Sequence, residues 1–553
     1  MNDRLEEAID RAAGALLSRQ HADGHWVFEL EADVTIPAEY ILLQHYLGTI
    51  DKPVEAKLAR YIRASQGEHG GWPLFHGGAI DVSASVKAYF ALKAAGDPID
   101  APHMARARAA ILGLGGAKGA NVFTRTMLAL FGEVPWRAVP VMPVEIMLLP
   151  RWFPFHTDKI SYWSRVVLVP LLVLMALKPR ARNPQQVTIG ELFVEPPEQV
   201  RGWISGPTAS PLSSAFALLD RLLRLAEPFF PKRARRRAID KAVAFVGERL
   251  NGEDGLGAIY PAMANAVMMF DCLGCGRDDP RVATAFAAIE KLLVFDGDKG
   301  YCQPCLSPVW DTVLVAHALM EVGADAVRAP VRRGLDWLVT KQVLDLLGDW
   351  AAARPGLRPG GWAFQYENPH YPDLDDTAAV GLALDRFDGP RYRAAIERAA
   401  EWVLGMQSRN GGWGAFDADN THFYLNHIPF ADHGALLDPP TADVSARCLG
   451  FLAQFGYKPD HPVMAKALAY LRREQEPDGS WFGRWGTNYT YGTWSVLAAL
   501  NAAGVDPQAP EMRRAVAWLL SRQRGDGGWG ESGASYEDGG PHGAAEYSTA
   551  SQT

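Results

Sequence analysis

Apolar residues recur along most of this chain at spacings of three and four, in runs long enough for helices. RRAVAWLLSRQ (513–523) and AKALAYLRREQ (465–475) are two such runs, each closing on a glutamine. After the glutamine comes Asp-Gly, Asn-Gly or a glycine pair, which stops a helix and turns the chain. A tryptophan then stands six residues beyond the glutamine. The pairs are Gln20 and Trp26, Gln66 and Trp72, Gln407 and Trp413, Gln475 and Trp481, and Gln523 and Trp529. A looser copy, GLDWLVTKQVLDLLGDW (334–350), sets Gln342 and Trp350 eight apart. Convincing strand-like alternation is scarce.

A glutamine amide can satisfy the groups left open at helix ends, and an indole can stack on that amide while its N–H finds an acceptor. Repeats some 46 to 68 residues apart suit one helix pair per unit. Such pairs hide their apolar faces only by stacking, as a solenoid or a closed ring. The chain is therefore expected to be an all-α repeat protein. The Gln–Trp motif reports the fold and not the chemistry.

Composition narrows the class. The 553 residues are 48% hydrophobic and 21% charged, which supports a sizeable core and excludes global disorder. The length suggests three or four domains, or two large ones. A net charge of −8 argues against a nucleic-acid partner. The longest strongly apolar run, Val166 to Leu177, has twelve residues, where a spanning helix needs about 18 or more. The acidic start, MNDRLEEAID, lacks the basic and apolar stretches of a signal peptide. Five cysteines cannot all pair within one chain, and a reducing compartment is the simpler reading. CLGC (Cys272, Cys275) and CQPC (Cys302, Cys305) have the form of a zinc site, but 26 residues separate them. The usual gap is about 15 to 20, and the first pair ends an apolar helical run, so these read as packing thiols. Cys448 has no partner motif.

The chemistry candidate is FQYENPHYPDLDDTAAVGLAL (364–384), in which Asp373, Asp375 and Asp376 crowd into four positions amid aromatics. An acid-rich first turn complementing a helix dipole explains one or two of them. Three close carboxylates cannot all ionise cheaply, so at least one stays protonated and the set titrates together.

Asp-x-Asp-Asp-Thr-Ala together with five Gln–Trp repeats resembles the squalene–hopene cyclases, a family of class II triterpene cyclases. PAEYILL (37–43), SPVWDT (307–312), GGWAFQ (360–365), DPPTADVSAR (438–447) and GRWGTNYTYGT (483–493) extend the resemblance over nearly the whole chain. It implies two α/α barrels with a large cavity between them. Residues 1–35 and 297–553 would form the catalytic barrel and 36–296 the inserted second barrel. It implies proton-initiated cyclisation of squalene to hopene, with hopanol on the side, without metal or organic cofactor. Opening a polyene cascade means protonating an alkene, a very weak base, so the donor acid must be held neutral and its conjugate base stabilised. By this similarity Asp375 donates the proton, Asp373 and Asp376 tune and hold it, and Asp443 and Asp311 stand behind them. Trp163, Trp310, Phe364, Phe416, Trp485 and Tyr491 would line the cavity, where π-faces stabilise carbocations and a dry wall prevents trapping by water. At 447 the chain has Arg where some family members place a His that bonds the donor acid; a fixed cation there would either lower the donor's pKa and strengthen the acid, or ionise it prematurely.

Other chemistries fit less well. A magnesium-dependent prenyl synthase would want an acid three residues after the Asp pair, and here the chain reads Thr-Ala-Ala. An α/α-barrel glycosidase would place its carboxylates on different loops. A non-catalytic helical scaffold has no need of an acid cluster among aromatics. Another class II polyprenoid cyclase is the nearer alternative.

Membrane contact is a further expectation. SPLSSAFALLDRLLRLAEPFFPKRARRR (210–237) places Phe216, Leu219, Leu222, Leu223, Phe229 and Phe230 near one side of a helix spanning about 213–230, ahead of a basic run from Lys232 to Arg237. An interdomain helix with a solvated charge run is the bland reading. An interfacial anchor on an anionic leaflet is the other, favoured by a hydrocarbon substrate. The resemblance implies a monotopic protein on the cytoplasmic face of the bacterial inner membrane, and a homodimer. The closing AAEYSTASQT reads as a helix start with no helix behind it, which suggests a family member lacking its last repeat.

Overall fold

The computed structural model describes residues 2–204, 207–537 and 539–549. Among them are eighteen α-helices of two kinds. Thr35–Leu47 and Val82–Ala94 are apolar all round and buried along nearly their whole length. Lys52–Ala64, between them, buries only Glu55, Leu58, Ala59 and Ile62. An all-round apolar helix belongs inside and a striped one outside. The chain alternates the two kinds, so each repeat supplies one inner and one outer helix. Outer helices open on proline in the first turn, as at Pro53, Pro102, Pro462 and Pro510, where the missing N–H costs nothing.

Two compact units result. The first comprises Met1–Phe28, Ser307–Thr421 and Asp438–Thr553. Its inner helices are Pro308–Val322, the first half of Leu374–Met406, Ala442–Gln454 and Asn488–Ala502, packed successively side by side. The helix Leu374–Met406 is an inner and an outer helix joined without a loop, broken at Asp388 just before Pro390. The second unit comprises Glu29–Leu306 and His422–Leu437. The latter segment is tied to that unit by a 2.8 Å ion pair between Asp432 and Arg125 and by the Ser161 amide on the Leu436 carbonyl.

The Gln–Trp repeats work as helix-end clamps. In each of the five the glutamine Nε2 donates to the glycine carbonyl four residues on, and at Gln20, Gln66, Gln407 and Gln475 it donates also to a carbonyl of the next outer helix. Gln407 does so to Gly411 and Val463, and Gln475 to Gly479 and Glu511. The tryptophan N–H of the indole donates to a carbonyl ten residues back, as Trp413 to Val403 and Trp481 to Leu471. The intervening glycine is left-handed (φ 97° at Gly411), and a Cβ there would lie 2.5 Å from the Lys466 carbonyl oxygen. Only glycine fits. Gln342 follows the same rule with a different partner from the one expected. Its amide meets the Gly360 and Ala395 carbonyls, and Trp362 donates its indole to Leu338. Trp350 is instead a core residue against Trp402. The insertion 343–359 separates glutamine from tryptophan while leaving the clamp intact.

Two short hairpins in the second unit went unread. Leu250–Asn251 pairs with Gly255–Leu256, and Leu293–Asp296 with Lys299–Cys302. Strands of two and four residues are too short for alternation to register. All five cysteines are free, and among the described residues no group of three or more His, Cys, Asp or Glu is placed to hold a metal ion. No helix among them is long and apolar enough to cross a membrane.

Candidate active site

A fixed register builds the site in the first unit. The main-chain N–H of each repeat tryptophan donates to a Ser or Thr hydroxyl in the first turn of an inner helix. The pairs are Trp26 with Thr312, Trp362 with Thr377, Trp413 with Ser445, and Trp481 with Thr493, all at 2.9–3.0 Å. Two residues before those hydroxyls stand Trp310, Asp375, Asp443 and Tyr491. Four of the residues singled out by resemblance thus share one position in four successive inner helices. Three more, Phe364, Phe416 and Trp485, lie in the segments that follow the repeat tryptophans.

The acid turn is held by its backbone on both sides. Asp373 donates its N–H to the Trp362 carbonyl at 2.6 Å, and Leu374 donates to the Ala415 carbonyl at 2.7 Å. Asp373 caps the helix, its Oδ1 accepting from the amides of Asp375 (2.6 Å) and Asp376 (3.0 Å). All three acids are buried. Burial, then the neighbouring Asp375, pushes the Asp373 carboxyl well above the usual range. Burial, then Asp373 and Asp375, does the same to Asp376. Oδ1 of Asp376 is buried without a hydrogen-bond partner.

Asp375 differs because a cation faces it. Arg447 Nε lies 2.6 Å from its Oδ1. Burial raises the Asp375 pKa and Arg447 pulls it back, leaving it at about 6. Arg447 is itself fixed, with a terminal nitrogen donating to the Tyr491 hydroxyl at 2.8 Å and its guanidinium 5.1 Å from the Trp310 ring centre. Arg447, the departure expected to act on the donor acid as a fixed cation, is the ion-pair partner of Asp375.

Asp443 and Asp311 hold backbone. Asp443 accepts from Thr441, the Val444 amide and, through Oδ2, the Trp485 amide at 2.8 Å. Asp311 accepts from the Phe28 amide at 2.8 Å and from Ser307. Its carboxyl, raised chiefly by burial, sits at about 6. Phe416 joins the aromatics: it tilts against Phe364 at 6.4 Å and meets Trp485 edge-on at 6.1 Å. Trp163 belongs to the second unit. It donates its indole N–H to Ala435 and lines a cavity of about 360 Å³ there with Phe123, Leu42 and the Glu39–Lys87 ion pair.

An α-helical repeat fold whose inner helices bring one cation-paired acid among aromatic faces is an arrangement that suits a terpene cyclase. Sequence comparison agrees. The squalene-hopene cyclase N-terminal domain matches residues 9–298 and the squalene-hopene cyclase C-terminal domain residues 306–553. Among curated relatives, the squalene–hopene cyclase of Bradyrhizobium diazoefficiens is 58% identical over 99% of this chain and 84% of its own. That of Zymomonas mobilis is 59% identical over 91% and 78%, and that of Alicyclobacillus acidocaldarius 42% identical over 100% and 88%. The chain belongs to the squalene–hopene cyclase family.

Proposed function

We propose that this chain cyclises squalene to hopene, with Asp375 as the proton donor. The observation that carries the reading is that three carboxyls share one buried turn and that, of the three, Asp375 is the one ion-paired to Arg447, at 2.6 Å. The most acidic of the three is the one whose conjugate base Arg447 stabilises. Its proton passes to a terminal alkene carbon, and the π pair becomes the new C–H bond. The cation left on the adjacent carbon is met in turn by the other double bonds. Trp310, Phe364, Phe416, Trp485 and Tyr491 supply π-faces that stabilise charge without forming bonds to it. Loss of a proton ends the sequence as hopene, and capture of water ends it as hopanol. The route to hopene is an isomerisation and needs no co-reactant, while the route to hopanol consumes one water. Asp373 and Asp376, held protonated by burial, keep a second full charge from building beside the donor. Incubation with detergent-dispersed squalene, followed by gas chromatography–mass spectrometry, should give a pentacyclic hydrocarbon of unchanged mass. Unconverted squalene would overturn the reading.

The substrate lives in bilayers, and the second unit offers a face for one. Along the helix Pro211–Ala226, Leu218, Leu222 and Leu225 are exposed, and Phe229 beyond it is 84% exposed. Phe216, Leu219, Leu223 and Phe230 line a cavity of about 340 Å³, Leu219 being exposed as well. The exposed stripe and the basic run from Lys232 favour peripheral contact with an anionic leaflet, on the cytoplasmic face of the inner membrane. Replacing Leu222, Leu225 and Phe229 by Ser should move the folded protein off anionic liposomes in a flotation assay. Equal binding by parent and variant would remove the proposal.

A further inference from the structure

Asp438 stands where the chain re-enters the first unit, and it is completely buried. Its carboxylate accepts three consecutive main-chain N–H groups: Ala415 on Oδ1 at 3.1 Å, and Phe416 and Asp417 on Oδ2 at 2.7 and 2.9 Å. That loop does two things for the site. The Ala415 carbonyl receives the N–H of Leu374, the residue between Asp373 and Asp375. The Phe416 ring forms the middle of the Phe364–Phe416–Trp485 aromatic row. A loop that folds back this tightly has no intrinsic reason to hold its shape, since successive amides pointing one way repel one another. One carboxylate binding all three holds it. Room for that carboxylate comes from Gly414, where a Cβ would lie 3.2 Å from Asp438 Oδ2 and 2.7 Å from the Asp438 carbonyl oxygen.

We infer that Asp438 is a positioning residue for the reaction, setting the acid turn and the central aromatic ring through one loop. The inference rests on the cyclase reading above. Asp438 touches neither the alkene nor the acids. It is joined to Asp375 by the path Asp438, Ala415, Leu374, and to the cation-facing wall by Phe416. The charged groups around it are Asp417, which raises its pKa after burial does, and Arg484, which lowers it. Its carboxyl sits at about 6. Asp438 in turn adds to the upward push on Asp373.

The test is Asp438→Asn, which keeps the volume but turns an N–H donor towards one of the three amides. The expected result is a fall in kcat of about 100-fold, the cost of a misplacement near 1 Å, with KM changed far less. The remaining turnover should include incompletely cyclised products, because the middle ring of the aromatic row is displaced. Near-UV circular dichroism should lose intensity from the aromatic row. A merely structural role would lower the melting temperature while each folded molecule kept the parent's KM, kcat and product spectrum; that result overturns the inference. Should Asp438→Asn fail to fold, Asp438→Glu keeps the charge and shifts the carboxylate out of register with the three amides, and is read by the same criteria. If the parent itself makes no pentacyclic product, the cyclase reading fails, and the dichroism of the two variants still decides whether Asp438 sets the loop.

Discussion

Two turns of this molecule share one framework and differ in what they carry. In the second unit, Trp72 donates its N–H to Ser85, takes the N–H of Asp81 on its carbonyl, and Asp81 caps the helix Val82–Ala94. In the first, Trp362, Thr377 and Asp373 make the same three contacts at the head of Leu374–Met406. Both pairs form an isolated bridge between tryptophan and capping acid. The two positions after the first helical residue are Ser83 and Ala84 in one turn and Asp375 and Asp376 in the other. Ser83 accepts the Asn121 amide, an ordinary structural bond. The acids at the matching positions are buried, raised in pKa and set against Arg447. The same backbone device thus serves in both units, and on the proposed reading the reaction chemistry comes from two side chains added to it.

If that separation holds, substitutions at the added positions should abolish the activity of a protein that still folds, while substitutions in the framework should lower stability and leave activity alone. The largest effect belongs to Asp375→Asn. Turnover should drop by about 10⁴-fold, the upper end for a general acid, and the melting temperature should fall because the buried Arg447 loses its counter-charge. Near-parental turnover would move the donor elsewhere. Next is Arg447→Gln, for which a loss of about 100-fold is expected. The parent needs Asp375 protonated, so its rate should decline as pH rises through about 6. Without the arginine the Asp375 pKa climbs, and that declining limb should move to higher pH while the maximum falls. A limb that stays in place would mean that another group controls it.

Framework changes are smaller and show in melting curves. Ser85→Ala leaves the buried Trp72 amide without an acceptor and should cost about 1–3 kcal/mol, with turnover unchanged at permissive temperature. Asp81→Ala removes a helix cap and should cost about 1 kcal/mol. If either change impaired cyclisation of the folded protein, the two turns would not be independent.

Much of this was legible in the sequence, for physical reasons. The clamps could be read because a glutamine, a glycine and a tryptophan at fixed spacing contact mainly their own neighbourhood. Trp362 escaped because an insertion broke the spacing and not the contacts. The acid cluster could be read from its density. The Arg447–Asp375 pair was legible only through the resemblance, which marks 447 as a position facing the expected donor acid, since nothing in the local pattern ties residues on two separate helices. Asp438 resembled any acid before a proline pair, and the only hint was Gly414, whose missing side chain makes sense once the carboxylate beside it is seen. Helix periodicity placed an apolar helix near residue 220 but could not tell its inward from its outward side, because both are apolar.

The shared register has a consequence for how such a protein changes over generations or on the bench. Ser83, Trp310, Asp375, Asp443 and Tyr491 occupy one address in five repeats, each two residues ahead of a hydroxyl that anchors a tryptophan. The contents of that address are a serine, an indole, two carboxylic acids and a phenol. A small library confined to codons 310, 443 and 491, with the anchors and Asp375 kept, would sample wall chemistry around a retained acid and draw its diversity from positions the scaffold already tolerates in several forms.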